Sequence, residues 1–394
     1  MPGLRKWLQK KLGRTKQSSQ ESPPPIPHLP AERPSILTPS PSREHLSPAI
    51  DNYGTFRRLP PEIRRQILIE AFGNLILHLD LKLSQGGLHP LVSNRTESRT
   101  YNAHRAKIAG NANSPQGWQW RGCVCHRRPW WMTGENQAHM PPHEDMCYLV
   151  LRRCNVEKSK LPTEYTIGAM GWIRTCRQSY VEGMDVLFRT NTFHMSTLVV
   201  LENLPRLVLP QCLQNITALE LIFDISFPSE LLGIVGPPGV DPVTYEDLPL
   251  YSLCRMIPET FPSIHHLYIS LQRPIAPLTP IYGPRPPSRE CEESTSRMER
   301  IVLKPIEDMV RVLGPGRDIN IAIQRGATEM LTRTYVKLHG REKLRCEFNP
   351  SLNYRFWKPL GDELGYWICS GLEDITFSPH YHMQTCFGTS LSPF

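Results

Sequence analysis

Residues 213–225 read LQNITALELIFDI, and residues 261–271 read FPSIHHLYISL. Leu213, Ile216, Leu219 and Leu221 in the first share their spacing with Phe261, Ile264, Leu267 and Ile269 in the second. Each stretch ends in an alternation of side chains at period two, the pattern of a buried strand. The stretch 369–377, CSGLEDITF, repeats the spacing through Cys369, Leu372, Ile375 and Phe377, and GRDINIAI at 316–323 adds a fourth strand. Helical stripes lie between them, at about 248–258, 298–313 and 327–339, with Pro305 placed to kink the second. Alternating strands and helices predict a mixed α/β or α+β layer of irregular strand–helix units, curved in the manner of a degenerate leucine-rich repeat. The unequal distances between the three sets leave three ordinary buried strands as the competing reading.

Upstream, Pro61–Phe72 carries Ile63, Ile67 and Ala71 at four-residue spacing, with Leu68 and Phe72 beside them. That spacing predicts a three-turn helix, opened by Pro61 and Glu62 and ended by Gly73-Asn74. A second stripe, Trp172, Ile173, Cys176, Tyr180, Met184, Leu187 and Phe188, predicts one helix, followed by a short strand at Thr192–Met195. Leu75–Leu83 alternates and reads as a strand, and residues 84–117 as a long loop rich in Gly, Asn, Ser and Arg.

The chain has 394 residues, 39 of them Pro, 40% apolar and 21% charged. Such Pro usage argues against coiled coils, long helical arrays and all-parallel sheets. The first fifty residues hold eight Lys+Arg and three Asp+Glu, so most of the formal +8 charge lies there. Residues 1–16 are basic and Leu/Trp-spaced: a nuclear address, a membrane-surface helix, an organellar presequence or a solvated tail. Residues 17–50 are Pro/Ser-rich and read as disordered. The resulting division is a tail at 1–50, a domain at 51–200 with a long insert at 73–170, and a strand–helix region with Pro-rich loops at 201–394. No apolar run has the ~18 residues of a membrane span. Eleven Cys, an odd number without an apolar leader before them, fit a reducing cytoplasm or nucleus.

Three chemistries compete for a site. No phosphate-cradling glycine loop, GxSxG elbow or HExxH is present, and adjacent acids fall in loop-like text, so no enzyme and no cofactor is expected. Four of the eight Trp fall within 118–131, interleaved with Arg121, His126, Arg127 and Arg128. Arg121, Arg127, Arg128 and Trp130 could contact nucleic acid by cation–π and stacking interactions; alternatively, the aromatics staple a loop to the core. Cys123, Cys125, His126 and Cys147, with His139 and His143 nearby, have the residue types of a zinc site but not its usual spacing.

Leu59-Pro60-Pro61-Glu62-Ile63-Arg64 resembles the opening of an F-box. Ile173-Arg174-Thr175-Cys176-Arg177-Gln178-Ser179-Tyr180-Val181-Glu182 through Phe188, with Asn191-Thr192-Phe193, resembles a motif of a filamentous-fungal F-box-like family of unknown function. The resemblance implies an F-box-like helical N-terminal core, a fungal source and protein partners. Among these would be a Skp-type adaptor of a cullin ubiquitin ligase, docked on Leu59, Pro60, Ile63, Ile67 and Leu68. About a hundred residues separate the two helices, where a compact F-box has a short turn. An apolar helical stripe also commonly faces its own core, so burial of these five residues is the alternative.

Overall fold

The computed structural model describes residues 24–30, 56, 58–85, 116–125, 141–144, 167–223, 248–272, 295–349 and 352–371. Helix α1 is Pro61–Phe72, and strands β1 and β2 are Ile76–Gln85 and Gln116–Val124. Helices α2 (Ala169–Ile173) and α3 (Arg177–Arg189) lead into β3 (Thr192–Met195), then α4 (Leu198–Leu207), α5 (Pro210–Leu213) and β4 (Ala218–Phe223). Beyond them come α6 (Pro249–Thr260), β5 (His266–Leu271), α7 (Lys304–Leu313), β6 (Asp318–Ile323) and α8 (Arg325–His339). The final strands are β7 (Cys346–Asn349), β8 (Asn353–Pro359) and β9 (Gly365–Ser370). The chain divides into two compact units, one of Met1–Pro27 with Lys82–Gln119, the other of His28–Leu81 with Trp120–Phe394. In the first, the Trp118 indole N–H donates to the Pro24 carbonyl at 2.7 Å. The candidate sites described below lie in the second.

One nine-stranded mixed sheet has the order β2-β1-β3-β4-β5-β6-β9-β8-β7. From β1 to β9 the neighbours are parallel; β8 and β7 turn antiparallel at the edge. The parallel run is long despite the Pro content, because none of its strands, β1, β3, β4, β5, β6 and β9, contains a Pro. Leu219 lies opposite Leu267 and Leu221 opposite Ile269, so the first two sets of the repeated spacing are adjacent rungs. Ile319 and Ile321 continue the same two rows. The next copy is Ile368 opposite Ile321, in β9. The strand thus precedes EDITF at 373–377, which lies outside the described residues.

One face of this sheet is apolar and covered. Leu219, Leu221, Leu267, Ile269, Ile319, Ile321, Tyr366 and Ile368 are each at most 1% exposed. Helix α4 packs on α6, α6 on α7, and α7 and α8 on β9. The predicted 298–313 helix is broken in hydrogen bonding though not in path. Glu299–Leu303 forms a π turn in which the Lys304 N–H reaches back to the Glu299 carbonyl. Pro305, with no N–H, sits at the start of α7 just after this slip.

The predicted helix over 172–188 is two helices. Thr175 Oγ1 donates to the Trp172 carbonyl at 2.8 Å, and the Cys176 thiol accepts from the Ser179 N–H at 3.4 Å, capping α3. The two helices pack tightly: a Cβ on Gly183 would lie 2.9 Å from Ile173 Cγ1. Strands also enter both ends of the predicted 84–117 loop, through Gln85 in β1 and Gln116 in β2.

Candidate functional site

Two motifs far apart in sequence meet in space. Arg64 donates to the Leu59 carbonyl through Nη1 at 2.7 Å, and to Glu182 through Nη2 at 2.8 Å and Nε at 3.2 Å. Arg64 and Glu182 are 13% and 20% exposed, so this forked pair is sheltered from water. Arg65 lies 3.8 Å from Asp185 on the same side of α3. Below them Leu68, Phe72, Ala169, Ile173 and Val186 form one apolar cluster, with Tyr180 against it. Asn191, fully buried, completes the join. Its amide donates to the Phe72 carbonyl at 3.0 Å and the Leu187 carbonyl at 2.9 Å, and its oxygen accepts from the Leu75 N–H at 2.7 Å. The LPPEIR and TCRQSYVE…NTF motifs therefore spell out one helical framework.

That framework decides which way α1 faces. Arg64, Arg65, Leu68 and Phe72 point toward α3, which turns Ile63 and Ile67 outward. Ile63 is 48% exposed, Ile67 42%, and Ala71 is also exposed. The alternative in which all five predicted residues are core is thus corrected. Leu68 is buried, Leu59 is half-buried, Pro60 is exposed at the N-cap, and the two Ile form an outer apolar stripe. The stripe faces out because the inward side already holds two Arg–acid contacts and two large apolar residues. Sequence spacing alone cannot rank two apolar faces of one helix.

A second set of side chains was not singled out from the sequence. The other face of the sheet carries a transverse row in register: His78, His194, Glu220, Tyr268, Asn320 and Trp367. His194 Nδ1 is 3.0 Å from Glu220 Oε2, and the His78 ring meets the His194 ring edge-on at 4.6 Å. His143, on a one-turn helix Pro142–Glu144 lying against β4 and β5, places Nδ1 2.6 Å from the Tyr268 hydroxyl. Beside this row Asp80, fully buried, accepts from the N–H and hydroxyl groups of Ser196 and Thr197. A carboxylate there meets the positive end of α4. The row is buried except at half-buried Glu220, and hydrogen bonds join His194 to Glu220 and His143 to Tyr268. No group of three or more metal-ligating side chains is present among the described residues.

A third polar knot lies on the helix side. Lys358 Nζ reaches Glu307 at 2.9 Å and donates to the Tyr335 hydroxyl at 2.6 Å, which donates to Glu299 at 2.9 Å. Burial, and then the nearby carboxylates, push the Tyr335 and Tyr366 phenols above their ordinary range. Burial likewise pushes the Cys369 thiol up to about 12. These are neutral, protonated groups at physiological pH, suited to holding structure.

Of the other predicted sites, the Arg121 side chain and Arg127, Arg128 and Trp130 lie outside the described residues, as do His126 and Cys147. Cys123 and Cys125 are of intermediate exposure, on and just after β2. No described helix is long and apolar enough to cross a membrane.

Residues 51–232 match a family described as a domain of unknown function (DUF7730). The match runs from α1 through β4 and so contains both motifs and the α1–α3 framework. No curated protein and no solved structure matches the chain.

Proposed function

We propose that this protein is a non-enzymatic protein–protein interaction module whose contact element is α1, and that its partner is a Skp-type adaptor of a cullin ubiquitin ligase. The observation that carries the reading is the outward stripe of Ile63 and Ile67 on a helix whose opposite side is pinned to α3. Burying two half-exposed Ile side chains contributes about 1 kcal/mol each, and rigid anchoring reduces the entropy cost of docking. Leu59 and Pro60 extend the stripe at the helix start, while Leu68 acts from below by holding the helix in place.

The test is direct binding of the purified chain to a purified fungal Skp adaptor. Binding should weaken at least about tenfold in the Ile63→Glu/Ile67→Glu variant, with the unfolding midpoint unchanged. An adaptor that ignores the wild-type chain, or binds both forms alike, ends the proposal.

A further inference from the structure

The sheet outruns its helices. The face covered by α6, α7 and α8 continues through Phe356, which is buried opposite Ile368 and touches Tyr335 of α8 at 5.9 Å. Two residues before it on the same face is Tyr354, and opposite Tyr354 in β7 is Phe348. Helix α8 is the last of the layer, and these two rings lie beyond it, 72% and 61% exposed, packed edge-on at 5.3 Å. Cys346, on the same face, is exposed as well. Among the described residues β7 is also the terminal strand of the sheet, so its outer backbone groups face away from the ladder.

The charge around this edge is mainly positive. The approach from α8 to β7 carries Lys337, Arg341, Lys343 and Arg345, with His339 among them. Its acids are Glu342 and Glu347, and Glu347 is engaged by Arg355 and lies 3.8 Å from Arg345. Arg345 in turn stacks over Trp367 at 4.8 Å on the opposite face, where it helps fix the strand's start. Cations flanking an edge strand discourage pairing of two copies, because each would bring the same charge to the other. They favour a partner of opposite charge.

We propose that β7 is a docking edge for an extended acidic peptide of another protein. The peptide adds as a further strand, its backbone pairs with the outer groups of Cys346 and Phe348, and alternate apolar side chains rest on Phe348 and Tyr354. Its acidic residues meet Arg341 and Lys343. This surface is separate from the outer face of α1, and the inference does not depend on adaptor binding.

The experiment is selection from a displayed library of random peptides on the full chain carrying Ile63→Glu and Ile67→Glu, which removes the α1 stripe from the readout. Enriched peptides should alternate Asp or Glu with aromatic or β-branched residues. A synthetic copy should bind at least about tenfold more weakly to Phe348→Ser/Tyr354→Ser, a change at exposed positions that spares folding. Its affinity should also fall as salt is raised from about 50 mM to about 500 mM. N-methylation of alternate amides should abolish binding while the same peptide methylated on the other edge binds normally. The proposal is overturned by no enrichment, enrichment of neutral or basic peptides, indifference to the Phe348/Tyr354 change, or equal binding of both methylated forms. Self-association lost in Tyr354→Ser would instead assign the edge to a second copy. Preferential binding of a single-stranded RNA oligomer at these residues would assign it to nucleic acid, and either result overturns the peptide reading.

Discussion

The two faces of the parallel sheet are made by the same strands and are both largely closed to water, yet they are held by different forces. On the helix side Leu219, Leu267, Ile319 and Ile321 make continuous apolar rows at 1% exposure or less. Their stabilisation is area removed from water, and it is non-directional. On the other side buried His194, Tyr268 and Asn320 and half-buried Glu220 are each held by a hydrogen bond. The lesson is one of tolerance. The first face accepts any apolar side chain of similar volume, whereas the second is specified group by group.

The largest break in that comparison comes from the apolar side. Ile321→Ala should cost about 3 kcal/mol in denaturant unfolding, while Ile321→Val should cost about 1 kcal/mol. On the polar side Asn320→Leu removes the 2.6 Å bond from Arg355 Nη1 and the bond to Asp318. We expect about 2 kcal/mol, read as a shift in midpoint at constant slope, because the Arg355 charge loses a buried acceptor. A cost below that of Ile321→Val would show the polar row to be incidental. Arg64→Ala, at the α1–α3 join, should likewise cost about 2 kcal/mol, and a double-mutant cycle with Glu182→Gln should recover a coupling of at least about 1 kcal/mol.

A smaller effect separates the faces by pH. The Cys369 thiol, beside Trp367 and Ala322 on the polar side, is held up to about 12 chiefly by burial, against an ordinary 9.0. The unfolded chain releases this proton near 9.0, while the folded chain keeps it. The contribution is therefore complete below pH 9 and is lost as pH rises toward 12. In Cys369→Ala the fall in stability across that window should be shallower than in the wild type, measured by urea unfolding at stepped pH. Least of all, Ile63→Glu/Ile67→Glu should move stability by no more than about 0.5 kcal/mol, since both side chains already meet water.

How much of this was legible follows from the same contrast. The rows Leu219/Leu221 and Leu267/Ile269 could be aligned by spacing because apolar alternation is a property of single strands. The third set is read only at its start: Cys369 falls at the end of β9, which places Tyr366 and Ile368 just before it, while EDITF lies outside the described residues. Strands β7 and β8 went unread because CEFN and NYRFWKP mix charges with aromatics, a pattern that makes sense only beside an edge. The break between α2 and α3 was hidden because Ile173, Cys176 and Tyr180 keep helical spacing across it. Of the proposed site, the helix and its start were readable. Its orientation was not, because that depends on Arg64 finding Glu182 from another helix. The His78–His194–Glu220 row draws on three separate strands, so no local pattern marks it.

The hydrogen bonds from Leu75 to Asn191 and from Thr192 to the Leu75 carbonyl have a consequence for chain length. They bring residues 75 and 192 side by side, so one clasp closes a span that includes β1, β2, α2 and α3. Length added to a flexible connection inside that clasp is cheap: doubling such a loop costs only about 0.6 kcal/mol. Relatives of this chain could therefore differ greatly in size between the two motifs and still keep the same clasp.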